Sequence, residues 1–311
     1  MQTESGFALM AVLFIAAMVS TLALSYATTA RLKALQVRHG QEKVQDAFRL
    51  SSCLELGWHE YQKYTANSGL MANKEEVEAI TDATLDLWYP RFEPYHAEVD
   101  GQRYEVQLFS EAGRLDINRV SSDILLKILQ LCGAAEPDAL AMMDAIRDFV
   151  DRDDNHRLNG AENDYYQSLD APYSCKNMPF ENIEELLLVR GITPDIYFGS
   201  EGRPGLVDVF SVLGGASSFD INSVSPLVFG IVEEMPAEAF QAIVDFRQEK
   251  PIANINDLSE IIEFEYFSEF KTYFSVQPTD YLRITATRRL DGGRLGGYLS
   301  ETHELTVEEN S

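Results

Sequence analysis

Residues 5–30 read SGFALMAVLFIAAMVSTLALSYATTA, a stretch without a charged side chain. Its inner part, Phe7 to Leu24, is almost wholly apolar. About 20 apolar residues rising 1.5 Å each cross the hydrocarbon layer of a bilayer as a helix, and this run is long enough. A secretory signal peptide needs a basic n-region and a small-residue cleavage site, and neither accompanies it. Instead a short leader, MQTESG, puts Gly6 directly before Phe7 and the apolar segment. The helical pattern continues beyond the span. Leu32, Leu35, Phe48, Leu50, Leu54 and Trp58 supply apolar positions up to about Ala66, where Asn67-Ser68-Gly69 makes a stop. The expected helix is roughly 90 Å long, part in lipid and part packed on a domain.

Strand signals lie at both ends of the remaining chain. Ala97 to Phe109 reads AEVDGQRYEVQLF, with Asp100-Gly101 suited to the positive φ angles of a tight hairpin. Tyr281 to Leu290 alternates as a strand, Asp291-Gly292-Gly293 turns the chain, and Gly297 to Val307 returns it. Between them, about 114–270 reads almost entirely helical. The pattern predicts an α+β fold, with a long N-terminal helix packed on a small antiparallel sheet and a large helical domain inserted. The expected divisions are 1–6 leader, 7–30 membrane or stem helix, 31–113 helix and first strands, 114–270 helical insert, and 271–311 closing strands.

Composition narrows the function. There are 50 Asp and Glu against 25 Lys and Arg, a formal charge of −25. Nucleic acid is excluded as a partner, because that affinity comes from basic groups neutralising phosphates. An acidic surface suits hard cations or simple solvation. The cysteines Cys53, Cys132 and Cys175 form no CxxC pair. In an oxidising compartment a Cys132–Cys175 disulfide is expected, since Cys53 sits in the long helix; three small buried thiols are the alternative. No GxSxG, HExxH or phosphate-cradling glycine loop occurs, so the chain does not read as an enzyme.

The insert repeats itself. Asp116-Ile117-Asn118-Arg119-Val120-Ser121 recurs as Asp220-Ile221-Asn222-Ser223-Val224-Ser225, and Ala145-Ile146-Arg147-Asp148-Phe149 recurs as Ala242-Ile243-Val244-Asp245-Phe246. Each pair brackets a helix–turn–helix, with Ser121 and Ser225 as N-caps. The pattern is similar to the helix-hairpin-helix module. The glycines that meet a DNA phosphate are replaced by Gly133-Ala134-Ala135-Glu136 and Glu233-Glu234-Met235-Pro236, so the repeat is expected to serve protein packing.

Residues 151–162 read DRDDNHRLNGAE. Counted from Asp151, oxygen-bearing side chains fall at positions 1, 3, 5, 9 and 12: Asp151, Asp153, Asn155, Asn159 and Glu162. That approaches the EF-hand spacing, but position 6 is His156 where the sharp turn needs Gly. The expectation is an irregular calcium loop rather than a regular EF-hand. Acids this crowded repel one another unless a cation joins them.

These features together resemble the K-type minor pseudopilins of bacterial type II secretion systems. Gly6-Phe7 before an apolar helix is similar to a type IV prepilin signal, which implies cleavage after Gly6 by a membrane prepilin peptidase and methylation of Phe7. Most such subunits carry Glu five residues into the mature chain, to pair with the ammonium of the next subunit in an apolar stem. Here that residue is Ala11, as in K-type subunits, which have no neighbour ahead. The leader has no basic residue, whereas Arg31, Lys33, Arg38 and Lys43 follow the span. That inverts the positive-inside pattern, so either the rule is overridden or the true start lies upstream.

The family has an inserted α-domain and an acidic run followed by Gly-Ala-Glu, Tyr, Pro-Tyr and Lys-Asn. This chain has Gly160-Ala161-Glu162, Tyr165 and Tyr166, Pro172-Tyr173 and Lys176-Asn177. The resemblance implies one or two calcium ions. Asp151, Asp153, Asn155 and Glu162 would be ligands with the Arg157 carbonyl, and Asp154 and Asp164 would serve a second ion or the surrounding shell. It also implies a single-pass inner-membrane protein with a periplasmic body at a pseudopilus tip. The implied partners are the H-, I- and J-type pseudopilins, the inner-membrane assembly platform and exoprotein cargo. A minor pilin of a type IV pilus, or a signal-anchored calcium-dependent periplasmic hydrolase, are the alternatives.

Overall fold

The computed structural model describes residues 4–71, 86–213, 218–278, 280–290 and 292–305. Leader residues 1–3, Asp291 of the second turn and Val307 of the return strand lie outside the described residues. The chain divides into two units, residues 1–52 and 53–311. Helix α1 (Glu4–Met71) supplies the whole described part of the first unit. It contains an 18-residue window apolar enough to cross a membrane, and none of that window is buried. Among the apolar positions that continue the helix, Leu32 and Phe48 are 61 % and 69 % exposed, whereas Leu50 and Leu54 are buried. At the anticipated stop α1 kinks but does not end: Asn67 has non-helical φ −125° and ψ 15°, and the helix runs on to Met71.

In the second unit, β1 (Tyr95–Val99) and β2 (Gln102–Ser110) form the expected hairpin, with positive φ at Asp100 (52°) and Gly101 (71°). A Gly costs nothing there, and an Asp costs less than other side chains. The chain then leaves the sheet for the insert and returns as β7 (Tyr281–Arg289) and β8 (Leu295–Glu304). All pairs are antiparallel, in the order β1-β2-β7-β8. Tyr104, Val106 and Leu108 of β2 and Leu282, Ile284 and Ala286 of β7 alternate onto one buried face. Gly57 of α1 lies against this face, and a Cβ there would sit 2.8 Å from Ile284 Cγ2. Glycine therefore sets the closeness of helix and sheet.

The insert consists of α2 (Ser122–Leu131), α3 (Glu136–Val150), α4 (Asn163–Gln167), α5 (Pro194–Phe198), α6 (Leu206–Val209), α7 (Ala237–Glu249) and α8 (Phe264–Tyr273). The near-wholly helical expectation needs correction. Four short strands form two parallel ladders, β3 (Leu115–Asp116) with β4 (Phe210–Ser211) and β5 (Phe219–Asp220) with β6 (Phe274–Ser275). They show that the sequence repeat is a structural duplication. Each ladder is extended by one bond, Ile117 N to Ser211 O (3.1 Å) and Ile221 N to Ser275 O (2.9 Å). In each half the repeated Asn clamps a distant backbone: Asn118 accepts from Phe180 N and donates to Phe180 O, and Asn222 does the same at Ile252. A 3-10 turn follows each clamp, capped by Asn182 and by Asn254. The first helix of the second half is itself only a 3-10 turn, Pro226–Ile231, where the first half has α2. Between α3 and Asn182 the first half carries an extra loop and α4; the second half passes directly from α7 to Asn254. The acidic loop lies in that insertion.

Candidate metal centre

The site grows from the last turn of α3. Asp148 follows the apolar spacing of Met142, Ala145, Ile146 and Phe149 and is fully buried with them. Asp151 ends the helix in extended geometry. Gly160 and Ala161 bring the chain back past Asp148, and Glu162, 1 % exposed, caps α4. Oxygens of Asp148, Asp151 and Glu162 lie within 4.8 Å of one another. A carboxylate is ordinarily buried only with partners. Asp148 has them: Oδ2 accepts from Arg157 N (3.1 Å), and Oδ1 meets the Arg157 guanidinium, which also holds Asp151 Oδ2 at 2.6 Å. Asp151 Oδ1 and both oxygens of Glu162 are buried without an ordinary hydrogen bond. Burial, and then the charges of Asp148 and Asp151, raise the Glu162 pKa, against the weak donor Cys175 Sγ, which lowers it. One guanidinium is shared by Asp148 and Asp151, and among the described residues no cation pairs with Glu162.

The remaining sequence candidates sit elsewhere. Asp153 is exposed and accepts from Asn155 N (2.9 Å) and Nδ2 (2.6 Å), bonds that lower its pKa. Asp154 accepts from Asn163 Nδ2 (3.1 Å), and Asp164 faces His156 Nε2 (3.0 Å). Asn159 donates to Asp144. The Arg157 carbonyl accepts from Gly160 N (3.1 Å). The structure thus brings Asp151 and Glu162 together and adds Asp148, which loop counting from Asp151 misses. Asn177, whose N donates to Phe149 O (3.1 Å), also has a buried, unpartnered Oδ1. The Cys132–Cys175 disulfide is not formed: all three cysteines are free and buried. Burial pushes the Cys132 and Cys175 thiols up to about 12, so neither is a reactive thiolate near neutral pH.

The donor set fits a hard divalent cation. Oxygens spaced this way can share an ion at 2.3–2.6 Å, and the orphaned Glu162 carboxylate lacks the positive partner that its burial calls for.

A long N-terminal helix and a small antiparallel sheet, with a helical domain inserted between the sheet's second and third strands in sequence order, give an α+β fold. Residues 103–198, from β2 through the acidic loop to α5, match the family described as type II secretion system (T2SS), protein K. Type II secretion system protein K of Pectobacterium carotovorum subsp. carotovorum is 32 % identical over 121 residues, covering 37 % of this chain and 35 % of that protein. The Klebsiella pneumoniae protein of the same name is 33 % identical over 76 residues, covering 24 % of this chain and 23 % of that protein. The matches thus span about a third or less of those relatives. The GspK-GspI-GspJ complex of the enterotoxigenic Escherichia coli type 2 secretion system contains a chain with TM-score 0.46 and 14 % identity, covering 79 % of this chain and 98 % of that one.

Proposed function

We propose that this chain is a minor pseudopilin at the tip of a type II secretion pseudopilus, where it initiates assembly and supports export of folded proteins. The role is structural rather than catalytic. One coincidence carries the reading: a protein K segment at 103–198 in the same chain as an uncharged apolar helix whose fifth residue after Gly6 is Ala11. A carboxylate in an apolar stem needs a partner ahead of it, and a terminal subunit has none. In this reading α1 anchors the chain once through the inner membrane, with its body in the periplasm, and later packs with the helices of other minor pseudopilins. The H-, I- and J-types are the partners of choice. The prepilin peptidase cuts between Gly6 and Phe7, the inner-membrane platform drives assembly, and the insert contacts cargo.

The acidic loop then holds calcium through Asp148, Asp151 and Glu162. When bound, the ion supplies the positive charge that Glu162 lacks. Gly160 leaves room for the Asp148 carboxylate, and Arg157 fixes Asp148 relative to Asp151.

Mass spectrometry of the mature protein tests the central claim. The expected N-terminus is a methylated Phe7, and Gly6→Val should abolish both processing and secretion. A mature chain that keeps residues 1–6, or a Gly6→Val variant that still secretes, overturns it.

A further inference from the structure

We propose that the cavity lined by Tyr61, Tyr64 and Tyr89, with Asp220 among its walls, is a binding site for a primary alkylammonium group. The argument starts from the internal duplication. In the first half, Asp116 is neutralised by Arg119 of its own D-I-N-R phrase, Nε to Oδ2 3.3 Å. In the second half the phrase reads D-I-N-S, and Ser223 stands where the cation should be. Asp220 is 3 % exposed, yet among the described residues no Lys, Arg or His pairs with it. Its oxygens accept from the backbone N–H groups of Ser223 (3.0 Å) and Gln277 (3.2 Å), with the Ser223 hydroxyl and the Asn222 N–H as further donors, and all four donors are neutral. Neutral donors solvate a buried carboxylate but supply no counter-charge.

Beside this carboxylate lies a cavity of about 220 Å³, lined also by Ser68 and Asn222, with no basic side chain in its wall. Three phenol rings run along it, with centroids 6.3 Å apart for Tyr61–Tyr64 and 6.0 Å for Tyr64–Tyr89. The Asp220 charge is felt at Tyr64, whose pKa it raises beyond the larger effect of burial. Arg91, 5.6 Å from the Tyr89 ring, is engaged by the Tyr95 ring (3.8 Å) and the Gln248 carbonyl (2.8 Å). Aromatic faces attract a cation, an apolar wall accepts its methylenes, and a buried carboxylate supplies the counter-charge. The volume suits a short alkylammonium, either a free amine or the end of a lysine side chain.

The test titrates n-butylammonium chloride into the full-length protein in detergent, read by calorimetry and tyrosine fluorescence, with n-butanol as the neutral control. Saturable binding at least tenfold tighter than that of butanol is expected. Asp220→Asn should weaken it at least tenfold. Should that variant not fold, Ser68→Lys, at an exposed lining position, offers its own ammonium to the site and should reduce binding similarly. Equal binding of butanol, no saturable binding, or binding unchanged in a folded Asp220→Asn or Ser68→Lys protein overturns the proposal. Acetyl-Gly-Lys-Gly-amide separates the sources. Binding as tight as butylammonium supports a lysine donated by a protein; butylammonium binding without the peptide supports a free amine.

Discussion

A Cβ placed on Gly160 would sit 1.7 Å from Asp148 Oδ2. The glycine is therefore what allows the return of the acidic loop to close over a buried carboxylate. Gly160→Ala must displace either Asp148 or the loop, and with it the Arg157 contacts to Asp148. Overpacking of this kind costs about 1–3 kcal/mol. The expected outcome is that loss in urea unfolding together with weaker calcium binding. Unchanged stability and unchanged calcium affinity would show that the loop does not need this close approach.

The contrast between Gly160 and Asp148 also shows what could be read in advance. Gly160-Ala161-Glu162 stands out in the sequence, but Asp148 lies inside the regular spacing of α3 and looks like part of a helix. Its match to Asp245 in the repeated phrase was the available signal, and it pointed to packing rather than to a ligand. Local chemistry was legible where it acts locally. Asp100-Gly101 announced the hairpin, and Asn67 announced the kink in α1. The ladders β3 to β6 were not legible, because two-residue strands carry no periodicity and their partners are far away in sequence. Arg157 was read for its carbonyl, whereas it is the guanidinium that reaches the carboxylates, a choice that only tertiary packing fixes.

Calcium should stabilise the folded chain by mass action. The Glu162 carboxylate, buried without a cation, makes the response specific. At a calcium concentration about 100 times the dissociation constant the gain is about 2.7 kcal/mol. Differential scanning calorimetry should show a higher Tm with calcium than with EGTA. Glu162→Gln should abolish that difference, and without calcium it should be at least as stable as the parent, since it removes one of three repelling charges. A calcium shift of full size in Glu162→Gln would exclude Glu162 as a ligand.

Asp220 predicts a pH dependence of the opposite sense to that of an ordinary paired carboxylate. Burial pushes its pKa from 3.8 up to about 6, against the backbone bond from Gln277 and the bonds from Ser223. A carboxyl with a raised folded pKa holds its proton more tightly when folded. Its contribution is complete below the unfolded value and is lost as pH rises through about 6. Between pH 5 and pH 7 the loss is about 1 kcal/mol. Asp220→Asn cannot titrate, so the stability advantage of the parent over the variant should shrink by that amount over this interval. A constant difference in urea unfolding between pH 5 and 7 would contradict the raised value.

Arg247 and Glu93 should behave as a pair whose breakage is costly. Arg247 is fully buried in α7, and its guanidinium meets both oxygens of Glu93 just before β1. It also donates to the carbonyls of Ile221 (2.9 Å) and Val224 (2.9 Å) in the second half of the duplication. Tyr89 closes the network by donating to the Arg247 carbonyl at 2.7 Å. Replacing Arg247 by Met keeps the volume but leaves Glu93 without its cation and two carbonyls without donors. Removing one member of such a buried pair costs about 3–5 kcal/mol. Arg247→Met combined with Glu93→Gln should recover part of that loss, because the uncompensated charge disappears with the second change. Purely additive losses in the double-mutant cycle would mean that the two side chains are held independently. A positive coupling would mean that the approach to the sheet and the inserted domain are locked by this one ion pair.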